Sequence, residues 1–477
     1  MRFSAGSISM LEEIPRIWMI LSKSRQARNR SSMGADSDTI VAIASPAGTG
    51  AVSLIRLSGP RALEIAKAAS GGKKLPPPRK VGLRQICDSA GLVIDEGLLV
   101  TFSAPASYTG ENVAEFTGHG GVVVTRKVLE RFIEAGARPA EPGEFTQRAF
   151  LNGQMDLTQA EAVMDLISAQ TSLALRSATE QLEGRLGKTC EDIRAELLGA
   201  TAHLEAYIDF PEEDIDPAVG EALKKRMAVQ RDRISNLLAT ADQGRILREG
   251  VRTVIYGKPN VGKSSLLNRL LGYQRAIVSA IEGTTRDTIE EVVNLRGIPL
   301  RLVDTAGVRE STDEIEMTGI EMTHAQVSRA DLVLEILDLS RPFSGTLPET
   351  AGEVKRLLIF NKSDEEDPSW SGVEGLRISC ESGEGFDRLE EEVARLLSLD
   401  EASWGAHSVA VNARHQACLT RSRAALDSAI SSMEAGEEPE FTSLSLRESL
   451  AAIGEIAGVV DTEDILGEIF SSFCIGK

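Results

Sequence analysis

The sequence predicts a multidomain protein of mixed α+β and α/β class, and three observations carry that prediction. Residues 38–152 mix β-rich runs with helical stretches. Residues 153–248 and 403–477 repeat apolar residues at three- and four-residue steps, and residues 249–402 alternate β-rich runs with helices. A length of 477 residues suits about three domains. The simplest layout is an N-terminal α/β domain followed by a discontinuous all-α helical domain, into which a doubly wound α/β domain is inserted, since insertion at an exposed loop is well tolerated.

Residues 1–37 read as an extension, disordered or belonging to a start placed upstream of Met33. The first 33 residues hold six basic and two acidic side chains; a transit peptide is the other reading of such a segment, and the adjacent Glu12 and Glu13 speak against it. Thr39–Ser45 and Val52–Leu57 read as strands about the turn Pro46-Ala-Gly-Thr-Gly50, and a helix follows from about Pro60. Gly71–Pro78 is a loop. Strands are expected around 81–103 and 113–117, with a helix from about 121 to 135. From 153 to 210 proline is absent, and Leu157, Ala160, Val163, Met164 and Ile167 keep the helical period. An acidic loop, Ile208–Pro217, interrupts the helices, and residues 219–247 read as one long helix. Residues 251–398 carry the pattern of a parallel sheet with crossovers, and 408–470 return to helix.

Composition bounds the function. Hydrophobic residues make up 42% and charged residues 26%, and no apolar run approaches the roughly 20 residues of a membrane-spanning helix, so no membrane role is expected. The formal net charge of −19 argues against broad, sequence-independent nucleic-acid binding; such a role needs a local basic patch or a partner that supplies one. Five scattered cysteines, Cys87, Cys190, Cys380, Cys418 and Cys474, form no Cys-x-x-Cys pair, which favours a reducing compartment over a disulfide framework or a zinc ribbon.

The motifs lie in the inserted segment. Strand Val251–Tyr256 runs into Gly257-Lys-Pro-Asn260-Val261-Gly262-Lys263-Ser264, and a helix opens at Ser265. Glycines there let backbone N–H groups turn toward phosphate oxygens, Lys263 supplies a point charge, and Ser264 can ligate Mg²⁺. A second apolar strand ends in Asp304-Thr305-Ala306-Gly307. Asp304 can hold magnesium through water, and the Gly307 amide can sense the terminal phosphate. A third ends in Asn361-Lys362-Ser363-Asp364, where the Asp364 carboxylate can accept from the N1–H and N2–H₂ edge of guanine, an edge adenine lacks. Ser379, Cys380 and Glu381 follow a further strand and suit the loop that contacts the guanine oxygen. Four motifs in this order define a GTP-binding domain. The position after Gly307, where many GTPases carry a glutamine that orients water, is Val308, so another group must position the water.

Further stretches carry a resemblance. Thr39-Ile-Val-Ala, Tyr108-Thr-Gly-Glu-Asn-Val-Ala-Glu115, Gly118-His-Gly-Gly121, Pro142-Gly-Glu-Phe-Thr-Gln-Arg-Ala-Phe-Leu-Asn152, Ile208-Asp-Phe-Pro-Glu-Glu, Gly283-Thr-Thr-Arg-Asp287 and Phe473-Cys-Ile-Gly-Lys477 resemble the bacterial tRNA uridine modification GTPases of the MnmE (TrmE) family, from about residue 38 to the end. The resemblance implies domains at 38–152 (tetrahydrofolate-binding and dimerising), 153–248 and 403–477 (helical) and 249–402 (the P-loop GTPase, or G, domain). It implies a potassium-stimulated GTPase with K⁺ ligated by Asn260, Ser279, Ile281 and Thr284, Mg²⁺ by Ser264 and Thr285, and Glu316 orienting water. Ala280, Glu282, Gly283, Thr305 and Ala306 complete its nucleotide contacts. Glu282 is unusual within Ser279–Thr285, where a carboxylate can alter cation preference.

The resemblance further implies a 5-formyl or methylene tetrahydrofolate bound by Arg56, Glu115 and Lys477. Gln154 stands at a fourth position that is often basic in the family. Without the resemblance Arg56 and Glu115 read as ordinary strand-edge charges. It also implies a cytoplasmic homodimer working with a flavin-dependent GidA-type partner, which alone brings FAD, on the wobble uridine of certain tRNAs. Cys474 admits two readings: a thiol that attacks C6 of a uracil, or a small residue in a packed C-terminal segment. Two rivals are a ribosome-maturation GTPase, disfavoured because residues 38–150 lack a basic, aromatic RNA face, and a potassium-dependent switch without modification chemistry.

Overall fold

The computed structural model describes residues 38–209, 218–274, 291–303, 330–345, 347, 354–397, 410–459, 463–471 and 473–476. They fall into two compact units, residues up to 156 together with those from 462 onward, and residues 157–461. Among the described residues no helix is long and apolar enough to cross a membrane.

The first unit is built on a six-stranded sheet in the order β3-β4-β5-β2-β1-β6, with β1 Ile40–Ile43, β2 Val52–Ser58, β3 Gly82–Cys87, β4 Val93–Phe102, β5 Val113–His119 and β6 Arg138–Pro139. All neighbours are antiparallel except β1 and β6. The strands expected around 81–103 pair as a hairpin, turned by Asp88, whose Oδ1 accepts the N–H groups of Ala90 (3.0 Å) and Leu92 (2.8 Å). Side chains alternate across a strand, so Ile55 and Leu57 point to one face and Arg56 to the other. On the first face Val41, Ile55, Leu57, Leu99 and Phe116 pack on helices α1 (Ala62–Ala69) and α2 (Val122–Glu134) through Ile65, Val128 and Phe132. On the second, Ile40 and Ala42 meet Phe145 of α3 (Glu144–Leu151) and Tyr108. The C-terminal segment returns here: Ile475 bridges Pro142 antiparallel, and the Gly143 N–H donates to the Cys474 carbonyl at 3.4 Å.

The second unit holds helices α4 (Leu157–Ser168), α5 (Ser172–Leu182), α6 (Arg185–Asp209), α7 (Ala218–Ala239) and α8 (Ala241–Glu249), and, after the inserted sheet, α11 (Ala413–Ala435) and α12 (Pro439–Ala457). Leu186, Cys190, Ile193, Leu197, Ala200 and Leu204 line one stripe of α6 at alternating steps of four and three. They share a core with Met227 and Ile234 of α7, Leu419 and Leu426 of α11, and Leu446 and Ile453 of α12, so chain from both sides of the insertion builds one bundle. The long helix read over 219–247 is broken at Thr240. Its hydroxyl donates back to the Leu237 carbonyl at 2.8 Å, competing with the helical ladder, and α8 departs toward the sheet.

Two carboxylates one turn apart on α4, Glu161 buried and Asp165 half-buried, bind both connections to the insert. Glu161 accepts from Arg414 at 2.9 Å and faces His415 at 2.7 Å, both at the start of α11, while Asp165 pairs with Arg248 of α8 at 2.9 Å. The Asn412 N–H points at His415 Nδ1 (3.3 Å), which therefore accepts; this puts the ring proton on Nε2, facing Glu161.

The inserted sheet has the order β12-β11-β10-β7-β9-β8, from β7 Val251–Tyr256, β8 Glu291–Leu295, β9 Ile298–Leu302, β10 Leu332–Asp338, β11 Lys355–Asn361 and β12 Leu376–Arg377. Only β8 and β9 pair antiparallel. Buried Val251, Ile255, Leu300, Leu334, Ile336 and Ile359 join Leu266 and Leu270 of α9 (Lys263–Gln274) and Leu389 and Val393 of α10 (Phe386–Leu396). β7 lies between β10 and β9, so the chain order reverses there. In open parallel sheets that switch point is where ligands bind, beyond the strands' C-terminal ends.

Candidate functional site

β7 ends at this switch point, and the loop 257–262 leads into the N-terminus of α9. Gly257, Asn260 and Gly262 all have positive φ (153°, 65° and 101°), the conformation that turns successive N–H groups inward. At Gly262 glycine is required twice over, because an added Cβ would also lie 2.2 Å from Asn361 Nδ2. Lys263 lies across the loop, its ammonium donating to the carbonyls of Gly257 (2.8 Å) and Lys258 (3.0 Å), and burial holds its pKa below the usual lysine range. Ser264 follows in the first turn of α9, half-buried, where the helix dipole favours anions, and Ser265 is exposed beside it.

Asn361, 2% exposed at the end of β11, joins this loop to the other end of the site. Its Nδ2 donates to the Val261 carbonyl at 2.9 Å, and its Oδ1 accepts the Cys380 N–H at 3.1 Å. Leaving such buried groups unmatched costs about 1–3 kcal/mol each. Lys362 takes a left-handed φ of 64° and its ammonium binds Asp338 at 2.8 Å. Burial pushes the Asp338 carboxyl up, and Lys362 and Ser340 more than offset that, leaving it below the usual range. Asp364 follows, exposed in a short 3₁₀ turn, and Ser379 is fully buried. Burial, reinforced by Asp364, pushes the Cys380 thiol up to about 11, so it stays protonated near neutral pH. Arg269 of α9 donates to the carbonyls of Cys380 (2.8 Å) and Glu381 (3.0 Å).

The described part of the site thus brings Asn260–Ser265, Asn361, Lys362, Asp364 and Ser379–Glu381 to one end of one sheet. The expectations for Ser279, Ala280, Ile281, Glu282, Gly283, Thr284, Thr285, Asp304, Thr305, Ala306, Gly307, Glu316 and Lys477 lie outside the described residues. Sequence reading missed Asp338 and Arg269. A signal existed for Asp338, since an apolar strand ends in it as neighbouring strands end in motif residues. Arg269 binds residues more than 100 positions away, a contact that no local pattern encodes.

In the first unit Arg56 and Glu115 are directly opposed on β2 and β5, with Nε to Oε1 at 2.7 Å. The guanidinium lies over the rings of Tyr108 (5.4 Å) and Phe145 (5.7 Å), an arrangement that favours the cation. Burial raises the Tyr108 pKa, and its hydroxyl bonds Thr146 at 2.9 Å. Glu111, from the same motif, accepts from Ser58 (2.7 Å) and pairs with Arg148 (3.2 Å), which also binds Glu144 (2.9 Å). Charge pairs backed by aromatic rings suit a planar, polar-edged heterocycle with an anionic tail. Gln154 is exposed, and its side chain lies against Gly110. Cys474 is half-buried between buried Phe473 and exposed Ile475.

A phosphate loop at the switch point of a parallel sheet, joined by Asn361 to a Lys-x-Asp turn, defines a GTP hydrolase of the P-loop class. A family profile described as the MnmE helical domain matches residues 157–474, and one described as the GTP-binding protein TrmE N-terminus matches residues 39–154. A tRNA modification GTPase MnmE of Akkermansia muciniphila is 52% identical over 444 residues, 92% of this chain and 99% of its own length. Those of Opitutus terrae and Aquifex aeolicus are 44% and 42% identical, over 92% of this chain and 99% and 100% of theirs. Among solved structures, the G domain of the T. maritima FeoB iron transporter aligns with 31% of this chain and 98% of its own at 25% identity, with a TM-score of 0.21, too low to weigh on the fold. The chain belongs to the MnmE family of tRNA modification GTPases.

Proposed function

We propose that this GTPase is potassium-stimulated and works as a cytoplasmic homodimer with a flavin-dependent GidA-type partner. Together they install an aminomethyl or carboxymethylaminomethyl group at C5 of the wobble uridine of certain tRNAs, with a tetrahydrofolate one-carbon unit as donor. Asn260, Ser279, Ile281 and Thr284 hold potassium, Ser264 and Thr285 hold magnesium, and Glu316 orients water where Val308 cannot. A monovalent cation beside the phosphates supplies positive charge that an arginine finger supplies in other GTPases. Arg56, Glu115, Gln154 and Lys477 bind the folate. The domain limits of 38–152, 153–248, 249–402 and 403–477 belong to the same reading.

The observation that carries the proposal is the presence, on one chain, of a guanine-nucleotide cradle and, in a separate unit, an Arg56–Glu115 pair at 2.7 Å backed by Tyr108 and Phe145. Asn260 supports the cation assignment, since its backbone φ of 65° holds an exposed amide in the phosphate loop.

Nucleoside mass spectrometry of tRNA from cells lacking the gene tests the whole reading. Unmodified C5 at wobble uridine is expected, restored by the wild-type gene and not by Arg56→Ala; an unchanged nucleoside profile ends it. Turnover of GTP should fall at least tenfold when sodium replaces potassium at equal ionic strength.

A further inference from the structure

We propose that Arg269 is a positioning residue for guanine recognition: from the helix that follows the phosphate loop it fixes the backbone of residues 380 and 381, so that the base and phosphate ends of the site form one body. The inference rests on the reading of Ser379, Cys380 and Glu381 as the loop that meets the guanine oxygen.

Arg269 lies six residues beyond Lys263 on α9, about 9 Å along the axis. One guanidinium nitrogen donates to two successive carbonyls, Cys380 at 2.8 Å and Glu381 at 3.0 Å. The guanidinium also lies 5.3 Å from the ring centroid of Phe386, the first residue of α10. The loop between is shaped around it, for a Cβ at Gly383 would lie 1.9 Å from Arg269 Nη2, and Gly383 has a φ of 91°.

Cys380 is also held through the preceding peptide by Asn361, which accepts the Cys380 N–H and donates to the phosphate loop at Val261. Phosphate loop, Asn361, Cys380, Arg269 and α9 therefore close a ring. A carbonyl and the next N–H point opposite ways across a trans peptide, so holding the carbonyls of 380 and 381 turns the N–H groups of Glu381 and Ser382 away from α9. The Ser382 N–H is taken by Ser379 Oγ at 3.0 Å. Arg269 thus sets the direction in which the loop presents the Glu381 N–H, from the helix that opens at the phosphate loop.

The test is steady-state GTP hydrolysis by the full chain carrying Arg269→Ala or Arg269→Lys, with Asp364→Asn alongside. Loss of two bonds from a charged donor should raise the KM for GTP of Arg269→Ala roughly tenfold, with kcat at saturating GTP within about twofold of wild type. Arg269→Lys, which keeps the charge, should fall between them, and it serves under the same criterion if the alanine variant does not fold. An unchanged KM, or a lowered kcat at unchanged KM, overturns the proposal. If Asp364→Asn leaves the preference for GTP over xanthosine triphosphate intact, the guanine-site reading itself has failed. If Asp364→Asn shifts that preference while Arg269→Ala changes nothing, the role of Arg269 alone is refuted.

Discussion

Asn361 uses both ends of its side-chain amide on backbone groups, one at Val261 and one at Cys380, before any nucleotide is considered. Its motif marks it for base recognition, and the structure adds a second task, tying two loops together. Asp364, three positions on, is exposed and keeps its carboxylate available for a ligand. Specificity from such a group is steep, because a wrong partner leaves polar atoms unmatched. Asp364→Asn should raise the KM for GTP about 100-fold or more and improve turnover of xanthosine triphosphate, whose edge offers an acceptor where guanine offers a donor. Unchanged kinetics with both nucleotides would remove Asp364 from the site. At this scale the residues proposed to meet phosphate and base were legible because they sit in short patterns with fixed spacing. Asp338 and Arg269 were not, since each acts through a partner brought near only by the sheet.

Helix α4 is the element whose importance the sequence least advertised. Its apolar period was plain, yet buried Glu161 and half-buried Asp165 carry the connection to the insert. Burial raises the cost of charging Glu161, but His415 and Arg414 hold its carboxyl well below the usual range, while burial pushes the His415 pKa down. Breaking a buried pair on one side leaves the other charge uncompensated. Glu161→Gln should therefore destabilise the chain by about 3–5 kcal/mol, read as a lower unfolding midpoint in denaturant. Asp165 behaves oppositely. Burial, with Glu161 adding and Arg248 opposing, pushes its carboxyl from 3.8 up to about 6. Between those values the folded chain holds a proton that the unfolded chain has released, so this residue's contribution to stability falls as pH rises through that window. Relative to wild type, Asp165→Asn should thus gain up to about 3 kcal/mol between pH 4 and pH 7. A difference that stays flat with pH would contradict the assignment. β7 was read from sequence with the limits it has in the structure, because its β-rich run stops at the first glycine of the phosphate loop. The break at Thr240 was not read, because a single threonine within good helical periodicity gives no warning; the break depends on where the sheet requires the chain to go.

For the whole molecule, the discontinuous bundle was legible because helical period returns after the β-rich stretch, and both halves contribute to one core. The charge of −19 was equally plain and bears on the chemistry. A substrate with a phosphate backbone is repelled by such a surface, so the proposed flavin-dependent partner is expected to hold most of the tRNA. Alone, this chain should bind tRNA weakly, with a shallow dependence of log K on log salt, about two ions or fewer; the complex with the partner should show a several-fold steeper slope. Tight, steeply salt-dependent binding by the isolated chain would reverse that division of labour.

The backbone of Gly244 lies against that of Val411, so close that a Cβ on the glycine would sit 2.7 Å from the Val411 oxygen. Outgoing and returning polypeptide therefore cross the same doorstep. A gene edited to splice α8 to α11 with a few flexible residues would delete the nucleotide cassette without stretching the remaining bundle, and the same narrow gap explains how a foreign module can be stitched into such a scaffold while its two halves still find each other.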